Sequence, residues 1–126
     1  MDIVINAAPV TKKNSQRIVV IKGRPMILPS KQYADYEKVA VRQIKAQIGE
    51  GFEALEGCYN VKCLFYMGTH RKTDLTNLLE AADDVLVRAG VLSDDNNTVV
   101  GSHDGSRVLY DKARPRTEIE IMEFIL

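Results

Sequence analysis

No apolar run in the 126-residue chain approaches the roughly twenty residues of a membrane span. The start, Met1-Asp2-Ile3-Val4-Ile5, has neither a basic leader nor a long apolar block, so no signal peptide is expected. A cytoplasmic protein is the reading. Cysteine is scarce: Cys58 and Cys63 lie five residues apart in a strand-like stretch, facing opposite sides of a sheet and away from a mutual disulfide. With no CxxC pair and only two histidines, a structural zinc site is not expected either. The formal net charge is zero, so no bulk basic excess advertises nucleic acid. Repeats, low-complexity tracts and linkers are absent. Aromatics are few, and Tyr33 and Tyr36 sit at helical spacing, as residues buried against a sheet do rather than a stacking platform for single strands.

What is there is ordinary in amount and uneven in placement. A hydrophobic fraction of 45% and a charged fraction of 27% suit a globular chain of one domain, 1–126. Residues 1–31 set six bases against Asp2, a net +5; residues 74–104 set seven acids against Arg88, a net −6; residues 105–116 return to +3. An acidic centre between basic segments suits a divalent cation held beside a polyanion, and equally suits pairing of charges within the fold.

The element pattern is α+β. Strands are expected at Asp2–Asn6, Arg17–Lys22, Pro25–Leu28, Tyr59–Met67, Val99–His103, Arg107–Tyr110 and Thr117–Ile121, with a turn or bulge near Asp104-Gly105. Ser30 caps a first helix ending near Gly49. Asp74 caps a second, with Leu75, Leu78, Ala82, Leu86 and Ala89 as its apolar stripe and Gly90 as its stop. The expected architecture is a single domain with one mixed sheet and two main helices.

The polar side of the second helix carries the chemistry. At about 100° per residue, Asn77, Glu80 and Asp84 form one stripe, with Asp74 at its start and Asp94-Asp95 opening the loop that follows. Converging carboxylates prefer a hard cation such as Mg²⁺, which keeps several waters and bridges to phosphate. Asp94-Asp95-Asn96-Asn97 is no EF-hand loop, lacking its alternating ligands, central glycine and closing glutamate. The same acids also fit a helix cap, a solvated helix face including Asp83-Asp84, and turn residues.

Order and spacing resemble the RusA family of Holliday junction resolvases of bacteria, prophages and phages. That family's core is an Asp-Leu-Asp-Asn-Leu helix start, a further Asp, then an Asp-Asp pair; here stand Asp74-Leu75-Thr76-Asn77-Leu78, Asp84-Val85-Leu86, Ala89-Gly90 and Asp94-Asp95. The likeness extends to the loop Ala8-Pro9-Val10-Thr11-Lys12-Lys13-Asn14-Ser15 and to Pro115-Arg116-Thr117-Glu118-Ile119. It implies Asp74 and Asp95 as catalytic, Mg²⁺-coordinating carboxylates, Mn²⁺ being an alternative ion, with Asp94 in support and Asn77 and Asp84 shaping the site. It implies a homodimer that places paired symmetric nicks across a four-way junction, with no small-molecule cofactor. Two positions depart from the pattern: Thr76 stands where a third catalytic Asp is usual, and Glu80 where a Lys is common. Glu80, one turn from Thr76, is then the expected replacement carboxylate and metal ligand, with Asp104 or His103 behind it.

Two basic sets flank the acids. Lys12, Lys13, Asn14 and Arg17 follow the first strand, and His70, Arg71 and Lys72 stand just before Asp74; both, with Arg107, are expected to contact DNA phosphates. Lys112, Arg114 and Arg116 would extend that surface. Rival readings are a scaffold that grips branched DNA without cutting it, and a protein–protein module with merely superficial acids.

Overall fold

Among the described residues, 1–12 and 16–125 of the computed structural model, the elements run β1 (Asp2–Ile5), β2 (Gln16–Ile21), β3 (Arg24–Pro29), α1 (Lys31–Ile48), β4 (Tyr59–Met67), α2 (Leu75–Arg88), β5 (Val100–Ser102), β6 (Arg107–Tyr110) and β7 (Arg116–Glu123). The strand at the centre is β4. On one side β7 runs antiparallel to it, from Tyr59 opposite Glu123 to Tyr66 opposite Arg116, and β1 pairs antiparallel with the far edge of β7. On the other side β5 and then β6 run parallel to β4. The α+β class, the mixed sheet and both helices are as the residue pattern leads one to expect, with element ends moved by a residue or two. One difference concerns β2 and β3, which form a two-stranded sheet of their own. Lys22 and Gly23 between them have φ of 51° and 75°, as a tight two-residue hairpin requires, and the turn closes the pair on itself.

Alternation decides which sheet face is buried. Val61, Cys63 and Phe65 of β4, Ile3 and Ile5 of β1, and Thr117, Ile119 and Ile121 of β7 all face the helices. Tyr33, Tyr36, Ala40 and Ile44 of α1 and Leu78, Ala82, Val85 and Leu86 of α2 cover them. Both tyrosines are thus core residues, and burial pushes the Tyr36 hydroxyl up to about 12. Cys58 and Cys63 are unbridged. Among the described residues no helix is long and apolar enough to cross a membrane.

Two edges that a sequence does not advertise are closed by side chains. The free edge of β1 is met by glutamines one turn apart on α1: Gln47 accepts from Val4 N (2.9 Å) and donates to Val4 O (2.6 Å), while Gln43 accepts from Asn6 N (2.6 Å) and donates to Asn6 O (3.3 Å). Their amides imitate a neighbouring strand and block another chain from adding there. The second edge is the gap between β5 and β6. There His103 Nδ1 donates to Val61 O (2.8 Å) and Ser106 Oγ accepts from Cys63 N (2.9 Å), completing the β4 ladder where no strand lies beside it.

Gln47→Ala removes both bonds to Val4 and reopens the β1 edge. Urea unfolding should show a loss of about 1–3 kcal/mol, whereas alanine at the exposed, uncommitted Lys38 should cost a few tenths at most.

Candidate active site

Helix α2 begins where Asp74 Oδ1 accepts the Thr76 amide at 2.9 Å, so this exposed carboxylate is the helix N-cap. Thr76 and Glu80 are exposed on the same helix, Asn77 is half-buried, and Asp84 is half-buried one turn beyond Glu80. The loop after α2 brings Asp95 back against the helix, close enough for its charge to raise the carboxyls of both Asp83 and Asp84. For Asp84, burial is the larger cause; Asp95 and Glu80 add to it, while Lys12 and Arg88 oppose it. Asp94 turns back on its own chain, Oδ1 accepting the Asp95 amide at 2.7 Å, and that bond holds its carboxyl below the usual range. Asp95, Glu80 and Asp84 are therefore brought together electrostatically. Asp74 is carried at the start of the same helix. Among the described residues no group of three or more His, Cys, Asp or Glu side chains stands close enough, as placed, to hold a metal ion.

The basic sets separate into near and far. Lys12 Nζ lies 3.7 Å from Asp84 Oδ2, so the loop after β1 reaches the acids. An open groove runs from Ala8–Thr11 of that loop to Gly68–Thr73, so Arg71 and Lys72 share one surface with Lys12's neighbours. His70 stacks on Tyr110, ring centroids 3.7 Å apart. Arg107 lies elsewhere, beside Lys62 and Leu64 on the sheet face away from the helices. Arg116 is committed within the fold: it donates to Asp111 (2.8 Å) and Glu118 (2.7 Å) and lies over the Tyr66 ring, so it does not extend a DNA surface. Lys13 and Asn14 lie outside the described residues, and Arg17 belongs to β2 by its backbone.

Sequence reasoning missed Asp83, which is not on the solvated face. It is 8% exposed, and its Oδ2 lies 2.9 Å from His103 Nε2. The helical wheel held the clue: Asp83 falls four residues after Leu79 and three before Leu86, at the margin of the apolar stripe. His103 is occupied at both ring nitrogens, by Asp83 and by Val61 O, so it has none to offer as a replacement ligand or base.

A model of the family Endodeoxyribonuclease RusA matches residues 7–122 of the 126. The chain belongs to the RusA endodeoxyribonuclease family. A comparison with curated proteins found no match. RusA nucleases act on Holliday junctions and are metal-dependent in general, so this chain is a DNA-recombination and repair nuclease that engages branched DNA. The charge map suits that membership: acids gathered on α2 and the following loop, with bases on one flank.

Substitution tests the capping role of Asp74. Asp74→Ala should destabilise the fold by about 0.5–2 kcal/mol through the lost cap, while Asp74→Asn, an equally good cap, should unfold within a few tenths of the parent in urea. A large loss with Asn would contradict a capping role shared by either side chain.

Proposed function

We propose that the chain, acting over 1–126 as one cytoplasmic domain, resolves four-way junctions by paired symmetric nicks with Mg²⁺, as a homodimer with one site per subunit. The observation that carries this reading is the approach of Asp95 to the α2 carboxylates, a negative charge that Lys12 and Arg88 offset only in part. All the donors are oxygens, the chemistry that hard cations select, so the donor set suits Mg²⁺, with Mn²⁺ as a substitute, and an ion would have to draw these side chains closer than they stand. Asp74, Asp95 and Glu80 would hold the ion. When bound, it supplies Lewis acidity at the scissile phosphate and lowers the pKa of a coordinated water.

The chain's own side chains do the rest. Asp94 fixes the backbone that presents Asp95, and Thr76, Asn77 and Asp84 shape the helix side of the site. Lys12, beside Asp84, and Arg71 and Lys72, along the groove that reaches Ala8–Thr11, neutralise phosphates and seat the backbone without reading its sequence; Lys13, Asn14, Arg17 and His70 extend that contact. Arg107, on the far face, would meet DNA only as a distant arm of the junction. Recognition then rests on shape and charge, and affinity should fall steeply as salt rises. A two-fold junction calls for a two-fold protein, since paired cuts need two equivalent sites.

The test uses a labelled synthetic four-way junction and a linear duplex. The parent protein should nick the junction symmetrically with Mg²⁺, leave the duplex intact, and lose all cleavage in EDTA. Asp74→Asn should still retard the junction but cut it at least a hundredfold more slowly, the scale of removing a group that stabilises a transition-state charge. A junction bound but uncut by the parent would mean that Thr76 and Glu80 have left a DNA-binding scaffold.

A further inference from the structure

The buried carboxylate on α2, Asp83, is held by a histidine. Asp83 Oδ2 and His103 Nε2 are 2.9 Å apart, and the same ring presents Nδ1 to Val61 O at 2.8 Å. A carbonyl oxygen only accepts, so Nδ1 must carry a proton. The Nε2–Oδ2 contact then needs one further proton, on the nitrogen or on the carboxyl. Written either way, imidazolium with carboxylate or neutral imidazole with carboxylic acid, the pair has no net charge. Asp83 Oδ1, also buried, has no hydrogen-bond partner among the described residues.

The pair's position gives it a consequence. Asp83 belongs to α2; His103 follows β5, the short strand that the Asp95 loop leads into; Val61 belongs to β4. Three elements thus meet at one imidazole. We infer that Asp83 and His103 form a buried positioning pair that shares a single proton and ties the Asp95 loop to α2, setting how closely Asp95 approaches the helix carboxylates and hence how well the site holds a divalent cation. This rests on the metal-site reading above. It concerns neither a ligand nor a reacting group: no ring nitrogen is left for either duty. Groups that tune a ligand from behind commonly change metal affinity by about 10–100-fold when removed.

The titration follows the geometry. The hydrogen bond to Asp83 raises His103 above its ordinary 6.5, while burial raises Asp83, opposed by His103 and reinforced by Asp95. Cys63 on β4 also feels Asp83, with burial the main cause of its raised thiol, and Asp84 follows Asp83 on α2. A folded histidine pKa above the unfolded one stabilises below the unfolded value and loses that contribution as pH rises through the folded value. The urea midpoint of the parent should therefore fall on the alkaline side of pH 6.5, and His103→Gln should flatten that fall.

Nitrogen-15 NMR of the intact chain reads the pair directly, with His70 as the second histidine in the same spectrum. At neutral pH Nδ1 of His103 should be fully protonated and Nε2 should carry the proton shared with Asp83, and Asp83→Asn should move the ring's titration downward. Mn²⁺ binding, followed by water-proton relaxation without DNA, should weaken about tenfold in Asp83→Asn and in His103→Gln, with the circular dichroism of both variants unchanged. A His103 titration indifferent to Asp83→Asn overturns the shared proton. Parent-like Mn²⁺ affinity in both folded variants overturns the positioning role. If the parent itself binds no Mn²⁺, the metal-site reading fails first and takes the positioning role with it, whatever the NMR shows for the pair.

Discussion

Like charges repel, and this fold holds four carboxylates, Glu80, Asp83, Asp84 and Asp95, near enough to act on one another. Much follows from keeping them there. Helix α2 presses Leu78, Ala82, Val85 and Leu86 into the sheet, which fixes the direction of its acidic side, and the loop after it returns Asp95 to that side. The charge is answered unequally. His103 neutralises Asp83 from below, Lys12 reaches Asp84 at 3.7 Å from the loop after β1, and Arg88 is shared with Glu37 at 3.4 Å. Asp84 remains raised despite those cations. Burial is the larger cause, and the charges of Asp95 and Glu80 add to it.

The sheet serves this arrangement through its central strand. Because β4 pairs with β5 only at its start and with β6 only at its end, a gap opens midway along its edge. His103 and Ser106 fill the gap by taking over backbone hydrogen bonds, so the interruption that weakens a strand is also what admits an imidazole beneath α2. The gap and the buried pair are one feature seen from two sides.

Much of this was legible in the residues. Alternation in Tyr59–Met67, the Ser30 and Asp74 caps, and the Gly90 stop give the elements almost as they stand, because each rests on local chemistry. The order Asp74, Asp84, Asp94-Asp95 points to the RusA family before any contact is known. Long-range pairings are what the sequence withheld. Nothing in the residue pattern singles out Gln43 and Gln47, whose bonds exist only because β1 lies beside them. Asp83 reads as half of a solvated Asp-Asp pair until a histidine twenty residues away is folded beneath it. Arg116 reads as a free cation until Asp111 and Glu118 are seen to hold it.

The central claim is that the acids of α2 and its following loop share a cation. Crystals of the protein soaked in Mn²⁺ and measured at the manganese absorption edge would test it most directly. The account predicts one or two anomalous peaks between Asp95 and the α2 carboxylates, coordinated by oxygen atoms at Asp74, Asp95 or Glu80. Well-diffracting crystals with no peak there, or with manganese bound only elsewhere on the surface, would contradict it.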